Sequence, residues 1–204
     1  MSDSFNVDMT GMAEVHAALL GIKNAYPVVV SRSINKTETG VRTDAVAEIY
    51  KELNLTKTRI RKDFSMQKAT IRALRGSVIA EGKPVNLGSF SGTRQTKKGI
   101  TVKVWRSGTR QLYKHGFLGK MRSKTGTYTA AFWRTYSGAR TKRAPGYIPG
   151  GGGRDYRNPI ESLEGPRVED VYERPAVMGA VLRAMDVRME KNLDHELTYF
   201  MSRL

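Results

Sequence analysis

The chain has 204 residues, 39% of them apolar, with 35 Lys and Arg against 19 Asp and Glu and no cysteine. That length suits one generous domain or one domain with arms, and the modest apolar share implies a small core with some surface covered by neighbours. Disulfides and thiolate metal sites are excluded outright, which fits a reducing compartment.

The net charge of +16 is concentrated in one place. No Asp or Glu occurs from Gly82 to Arg154, while sixteen Lys and Arg fall in that span; the other 19 cations are cancelled by the 19 acids. A cationic middle between neutral flanks predicts a polyanionic or acidic partner. No apolar run reaches the roughly 18 to 20 residues of a membrane span. The polar, acidic start MSDSFNVD argues against a secretory leader, so a soluble, unexported chain with no membrane partner is expected.

In chain order, Thr10 to Ile22 reads as a short helix, with Thr10 as its cap and Met12, Val15, Leu19 and Ile22 on one side. Pro27 permits a fresh helix start. Val30, Ile34, Val41, Ala45, Ile49 and Leu53 then mark a long one-faced helix over 28–53, broken only by a polar step at Thr37–Glu38. Asn54 is its predicted stop, and Thr56 can open a further short helix carrying Ile60, Arg61 and Lys62. Helical period disappears after Phe64. Residues 66–136 are read as a basic antiparallel sheet of four or five strands, with Ile100 to Trp105 alternating most cleanly and Gly99 and Gly108 at turns. Residues 137–159 form a Gly/Pro-rich arm. Residues 160–204 supply a turn and a last helix, on which Val177, Val181, Met185, Met189, Leu193, Leu197 and Met201 recur at four-residue steps. The expected fold is one α+β domain with a long N-terminal and a C-terminal helix packed on the sheet, and extended loops.

Nothing in the sequence points to catalysis, a cofactor or a metal. His16, His115 and His195 lie in separate elements, and Asp194, His195 and Glu196 are consecutive, so on a helix they point about 100° apart. A metal-dependent nuclease would need carboxylates among its cations, and the basic span has none. GGGG at 150–153 follows a proline and lacks the Lys-Ser or Lys-Thr of a phosphate loop, and SGTRQTKKG lacks its spacing. The basic span does interleave cations with Trp105, Tyr113, Phe117, Tyr128, Phe132, Trp133 and Tyr136, the mixture used for stacking and phosphate neutralisation. Strand alternation would equally produce a solvated basic face over an aromatic core.

Three stretches carry a resemblance to a known family. RSINKTETGVRTDAVAEIYKELNLTKTRIRKDF (32–64) resembles the opening helix, turn and basic segment of the minor tail protein Z family of long-tailed phages. FSGTRQTKKGITVKV (90–104) resembles its Arg-Gln-Thr stretch ahead of a strand, matched here by Arg94, Gln95 and Thr96. NPIESLEGPRV (158–168) resembles its turn before the final helix, matched by Ile160, Gly165 and Pro166. The insert at 138–157 departs from the family, which usually shortens it.

The resemblance implies a structural virion protein, a tail-completion, neck or head–tail connector subunit rather than an enzyme. It implies a homo-oligomeric ring around the DNA channel, with a hexamer the expected size. Partners would be other tail and neck proteins, with non-specific contact to the genome in the channel. The protein would reside in the virion, and in the host cytoplasm during assembly. Arg94, Lys97, Lys98, Lys103 and Arg106 are the expected anion, DNA or acidic-partner contacts. Val181, Met185, Met189, Leu193 and Leu197 are the expected assembly or core stripe. The rival reading is a free basic nucleic-acid-binding protein using the sheet as its platform.

Overall fold

The computed structural model describes residues 25–123, 126–134 and 160–203. The helix expected over Thr10–Ile22 and the arm expected over 137–159 lie outside the described residues. Within them the chain is α+β, with two long helices, two short ones and eight strands, every strand pairing being antiparallel. It divides into two compact units.

The first unit takes α1 as far as Lys51, then Lys57–Lys83, then the chain from Arg167 onward. Helix α1 runs Ala25–Glu52, about 42 Å at 1.5 Å per residue. Pro27 sits in its first turn, where a missing N–H breaks no intrahelical bond. The predicted stripe holds, with Val30, Val41, Ala45 and Ile49 buried, and the polar step is buried with it at Thr37 and Glu38. Short helix α2 (Lys57–Arg61) leads into the hairpin of β1 (Phe64–Gln67) and β2 (Ser77–Ala80). Helix α3 (Val168–Tyr172) buries Val168 and Val171 and sets Tyr172 edge-on against Phe64, ring centroids 5.4 Å apart.

Helix α4 (Pro175–Met201) starts with Pro175 at its first position and runs antiparallel to α1. Leu193 joins Ala25, Val29 and Val30 in a buried cluster flanked by Tyr26, Ile34, Leu74, Leu197 and Phe200. Further along, the seam between the two helices is polar. Ser33 Oγ donates to Val29 O (2.9 Å) and Asn192 O (3.3 Å). Asn192 Nδ2 donates to Thr37 Oγ1 (2.9 Å), whose hydroxyl faces Met189 Sδ at 3.3 Å. Arg188 crosses the seam at Gly40, where a β-carbon would fall on the Arg188 Cδ, and donates to Asp44 Oδ2 at 2.7 Å. Buried Glu196 pairs with Lys36 and, at 3.9 Å, with Arg32.

The four-residue stripe of α4 is observed only in part. Val177, Val181, Met189 and Leu193 are buried, whereas Met185 and Leu197 are half-buried and Glu196 takes a buried place. Steps of four advance about 40° beyond a full turn each time, so the stripe winds away from α1. Three-residue steps to Asn192 and Glu196 bring the contact line back.

The second unit comprises Glu52–Thr56 and the described residues of Pro84–Pro166. The single sheet of four or five strands expected over 66–136 is resolved instead into separate small sheets. The β1–β2 hairpin belongs to the first unit; this unit holds β3 (Arg94–Thr96), β4 (Gly99–Val102) and β5 (Gln111–Lys114) in one sheet, and β6 (Phe117–Ser123), β7 (Gly126–Arg134) and β8 (Ile160–Ser162) in another. The physical reason is the corner at His115–Gly116: His115 takes φ +63°, a left-handed conformation that ends β5 before β6 begins. The Pro84–Phe90 stretch carries a 3-10 turn at Leu87–Ser89.

Two asparagines brace this unit. Past the end of α1 at the predicted stop, Asn54 Nδ2 donates to Ser91 O (2.8 Å) and Lys103 O (2.9 Å), and its backbone N–H to Val104 O. Asn86 accepts from Ala131 N and Gly88 N and donates to Ala131 O and Ser162 Oγ. Each satisfies backbone groups that a short sheet leaves unpaired. Leu53, Leu55, Val85, Leu87, Ile100, Val102 and Ala131 form the buried interior.

Candidate polyanion-binding face

The division into units follows the charge. The segments of the second unit carry sixteen Lys and Arg against four acids, Glu52, Asp155, Glu161 and Glu164.

In the β3–β4–β5 sheet, Arg94, Thr101 and Leu112 form one cross-strand row, and Thr96, Gly99 and Lys114 the next. Alternation sets these residues on one side, with Lys103 directly after β4 in the same phase, and Gln95, Ile100, Val102 and Tyr113 on the other. Ile100 and Val102 are fully buried, while Arg94 and Lys114 are exposed. The strand pattern therefore sorts charge to one side and packing to the other.

The ion pairs of Arg32 and Lys36 with Glu196, Lys51 with Glu48, Arg59 with Asp63, Arg167 with Glu169 and Arg188 with Asp44 all fall in the first unit. Among the described residues, no carboxylate pairs with Arg94, Lys97, Lys98, Lys103, Lys114, Lys120 or Arg122.

The five predicted contact residues separate into three groups. Arg94, Lys97 and Lys98 are exposed, the lysines forming the two-residue turn between β3 and β4. Lys103 is half-buried, and its carbonyl is held by Asn54. Arg106 is a brace: its Nε donates to Leu53 O (3.2 Å), Nη2 reaches Leu55 O (3.5 Å), and its backbone N–H donates to Glu52 O (2.8 Å). Arg110 is similarly committed, donating to Gly92 O at 2.6 Å and reaching Thr101 O at 3.3 Å.

Gln95, which the resemblance marks beside Arg94 and Thr96 as structural and which is not among the five contact cations, organises this end of the sheet. Gln95 Oε1 accepts from Leu118 N (2.9 Å), and its Nε2 lies 3.2–3.3 Å from the carbonyls of Thr96, Gly99 and Gly116. Thr96 Oγ1 donates to Gly99 O (2.8 Å), and His115 N to Lys98 O (3.2 Å). A glutamine between Arg and Thr at the start of a basic turn was the signal in the sequence. Gly99 takes φ +147° with its α-carbon against Tyr113 O, so Lys97 and Lys98 keep ordinary negative φ.

The β6–β7 hairpin carries Lys120 opposite Thr129, Met121 opposite Tyr128 and Arg122 opposite Thr127, all exposed on both faces. Tyr128 and Trp133 are exposed but five residues apart on one strand, hence on opposite faces. Trp133 Nε1 is tied to Glu161 Oε2 at 3.1 Å. They make no common stacking surface.

For chemistry, the described residues hold no group of three His, Asp or Glu placed to grip a metal. Of the sequence-level histidines, His16 lies outside the described residues, and His115 and His195 are exposed in different elements. Asp194 and His195 face solvent while Glu196 turns inward to Lys36. An opening of about 480 Å³ between Arg32, Asn35, Lys36, Glu196 and Tyr199 is lined by that neutralised carboxylate. No helix among the described residues is long and apolar enough to cross a membrane.

No family model matches the chain, and neither a curated protein nor a solved structure matches it.

Proposed function

We propose that this chain is a non-catalytic structural protein of a tailed phage virion, a tail-completion or head–tail joining subunit that assembles as a ring around the DNA channel. The observation that carries the reading is the set of exposed cations on the outer side of the β3–β4–β5 sheet with which no carboxylate among the described residues pairs. Their counter-charge comes from another molecule: channel DNA or an acidic tail or neck partner. Ring symmetry repeats each cation once per subunit, so individually weak contacts add. A passing genome must not be held tightly, which suits point charges without base readout.

The three stretches that carry the family resemblance fall on coherent elements, 32–64 on α1, α2 and the start of β1, 90–104 on β3 and β4, and the described part of 158–168 on β8 and the start of α3. The protein would be made in the host cytoplasm and finish in the virion. The free nucleic-acid-binding alternative needs a stacking platform, and Tyr128 and Trp133 face opposite ways. The test is deletion of the gene from its phage genome. Separate filled heads and unjoined tails by electron microscopy, restored to whole virions by the gene in trans, are expected; normal infectious particles would overturn the reading.

A further inference from the structure

We infer that Lys97, Lys98 and Lys114 form a preorganised contact for the phosphodiester backbone of nucleic acid, engaged without regard to base sequence. This rests on the reading above that the cations meet an outside polyanion, and it names which polyanion and where.

The register brings the three together. Lys114 lies directly across from Gly99, the residue after the Lys97–Lys98 turn, and His115 N donates to Lys98 O, so the β3–β4 turn and the β5–β6 corner sit side by side. All three lysines are exposed, and among the described residues no carboxylate pairs with them.

The support beneath them is built. Gln95 reaches both turns from one side chain, touching Gly99 O on the first, Gly116 O on the second and Leu118 N at the root of β6. Thr96 closes the lysine turn on Gly99 O. A flexible loop would lose entropy on fixing its charges around an anion, whereas this rim has already lost it.

The sign of the whole unit favours a phosphate polymer: its segments carry sixteen Lys and Arg against four acids, the electrostatic footprint of a nucleic-acid surface. An ammonium is a point charge that meets a phosphate oxygen from many directions. Of the arginines nearby in the chain, Arg106 and Arg110 are spent on backbone carbonyls, while Arg94 is exposed on the same side of the sheet as Lys114. Tyr113, the aromatic of the neighbouring row, lies on the opposite side of the sheet with its hydroxyl on Gln111, so its ring is not presented beside the lysines.

The test is fluorescence anisotropy of the full chain with labelled duplexes of two unrelated sequences across a sodium chloride series, and with labelled poly-L-glutamate as the carboxylate control. The expected result is equal binding to both duplexes and weaker binding to the polypeptide. The triple variant Lys97→Ala/Lys98→Ala/Lys114→Ala should lower the log–log salt slope by about 2 to 3 units, at roughly 0.9 per phosphate released, with an unchanged circular-dichroism melt. Gln95→Ala, which removes no charge, should weaken binding while leaving most of the slope. Triple-variant binding identical to the wild type would overturn the inference. Wild-type binding to poly-L-glutamate but not to DNA would overturn it while leaving the outside-polyanion reading intact. Binding to neither would overturn both.

Discussion

The carboxyl group of Glu38 rests against the α-carbon of Gly76, and neither of its oxygens has a hydrogen-bond partner among the described residues. Asn35, one helical turn earlier on α1, exchanges two bonds with the backbone of Ala69 and so pins the 68–76 segment over it. Burial pushes the Glu38 carboxyl up to about 7, with Lys68 opposing that rise. The folded protein thus keeps this proton well above the pH at which the unfolded chain, near 4.5, releases it. Stability attributable to the group is present below that lower value, declines as pH rises towards 7, and is flat beyond it. Glu38→Gln should remove the decline and stabilise the protein at pH 8, by roughly 1–3 kcal/mol. Urea melts of both proteins at pH 5 and pH 8 check this; parallel pH dependence would mean the carboxyl is solvated.

Gly40 and Arg188 predict a change of sign. Alanine is the better helix former by about 1 kcal/mol, yet a methyl at Gly40 would fall on the Arg188 side chain where it reaches across to Asp44. Gly40→Ala alone should destabilise, whereas Gly40→Ala added to Arg188→Ala should stabilise. A double-mutant cycle with a coupling of the order of 1 kcal/mol is the expected outcome, and additivity would show that Arg188 moves aside freely.

Gly99→Ala should loosen the β3–β4–β5 sheet. The substitution forces an L-residue into φ +147° and places a methyl on Tyr113 O. A loss of roughly 1–3 kcal/mol is expected, with amide exchange at Ile100 and Val102 accelerating more than at Val41 or Ile49. Equal protection in variant and wild type would contradict the strained turn.

Leu193→Asp and Leu197→Asp should differ. Leu193 is 8% exposed among Ala25, Val29 and Val30, while Leu197 only flanks that cluster. Burying a leucine is worth roughly 1.5–3 kcal/mol, and a charge in its place adds a desolvation cost. Leu193→Asp should therefore leave little folded protein, and Leu197→Asp a soluble, weakened one. Thermal melts rank them; equal effects would mean the two positions are packed alike.

The parts of the fold that repeat along the chain were legible. The apolar period of α1, its stop at Asn54 and the alternation of Ile100 and Val102 all survive in the structure. Polar side chains that serve as internal fasteners were not, because periodicity counts only apolar residues. Thr37 and Glu38 read as an interruption yet are buried, and Asn192 and Glu196 carry the line of contact where Met185 and Leu197 drift from it. The division of one expected sheet turns on a left-handed histidine, a conformation that no composition signals. At the candidate face, charge was readable and commitment was not: Arg94, Lys97 and Lys98 are exposed with no carboxylate partner among the described residues, while Arg106 is occupied by the carbonyls of Leu53 and Leu55.

The antiparallel seam of α1 and α4 sets an order of events during synthesis. The ribosome releases α1 early and delivers α4 only after every strand of both β-bearing units has emerged, so Ala25, Val29 and Val30 wait for Leu193 with their apolar side uncovered. Contacts so distant along the chain close slowly. A nascent or truncated product lacking α4 leaves the Ala25, Val29 and Val30 side of α1 without Leu193, and is open to chaperones and proteases. Quality control is thereby written into the topology: only a chain translated through α4 can present a finished first unit.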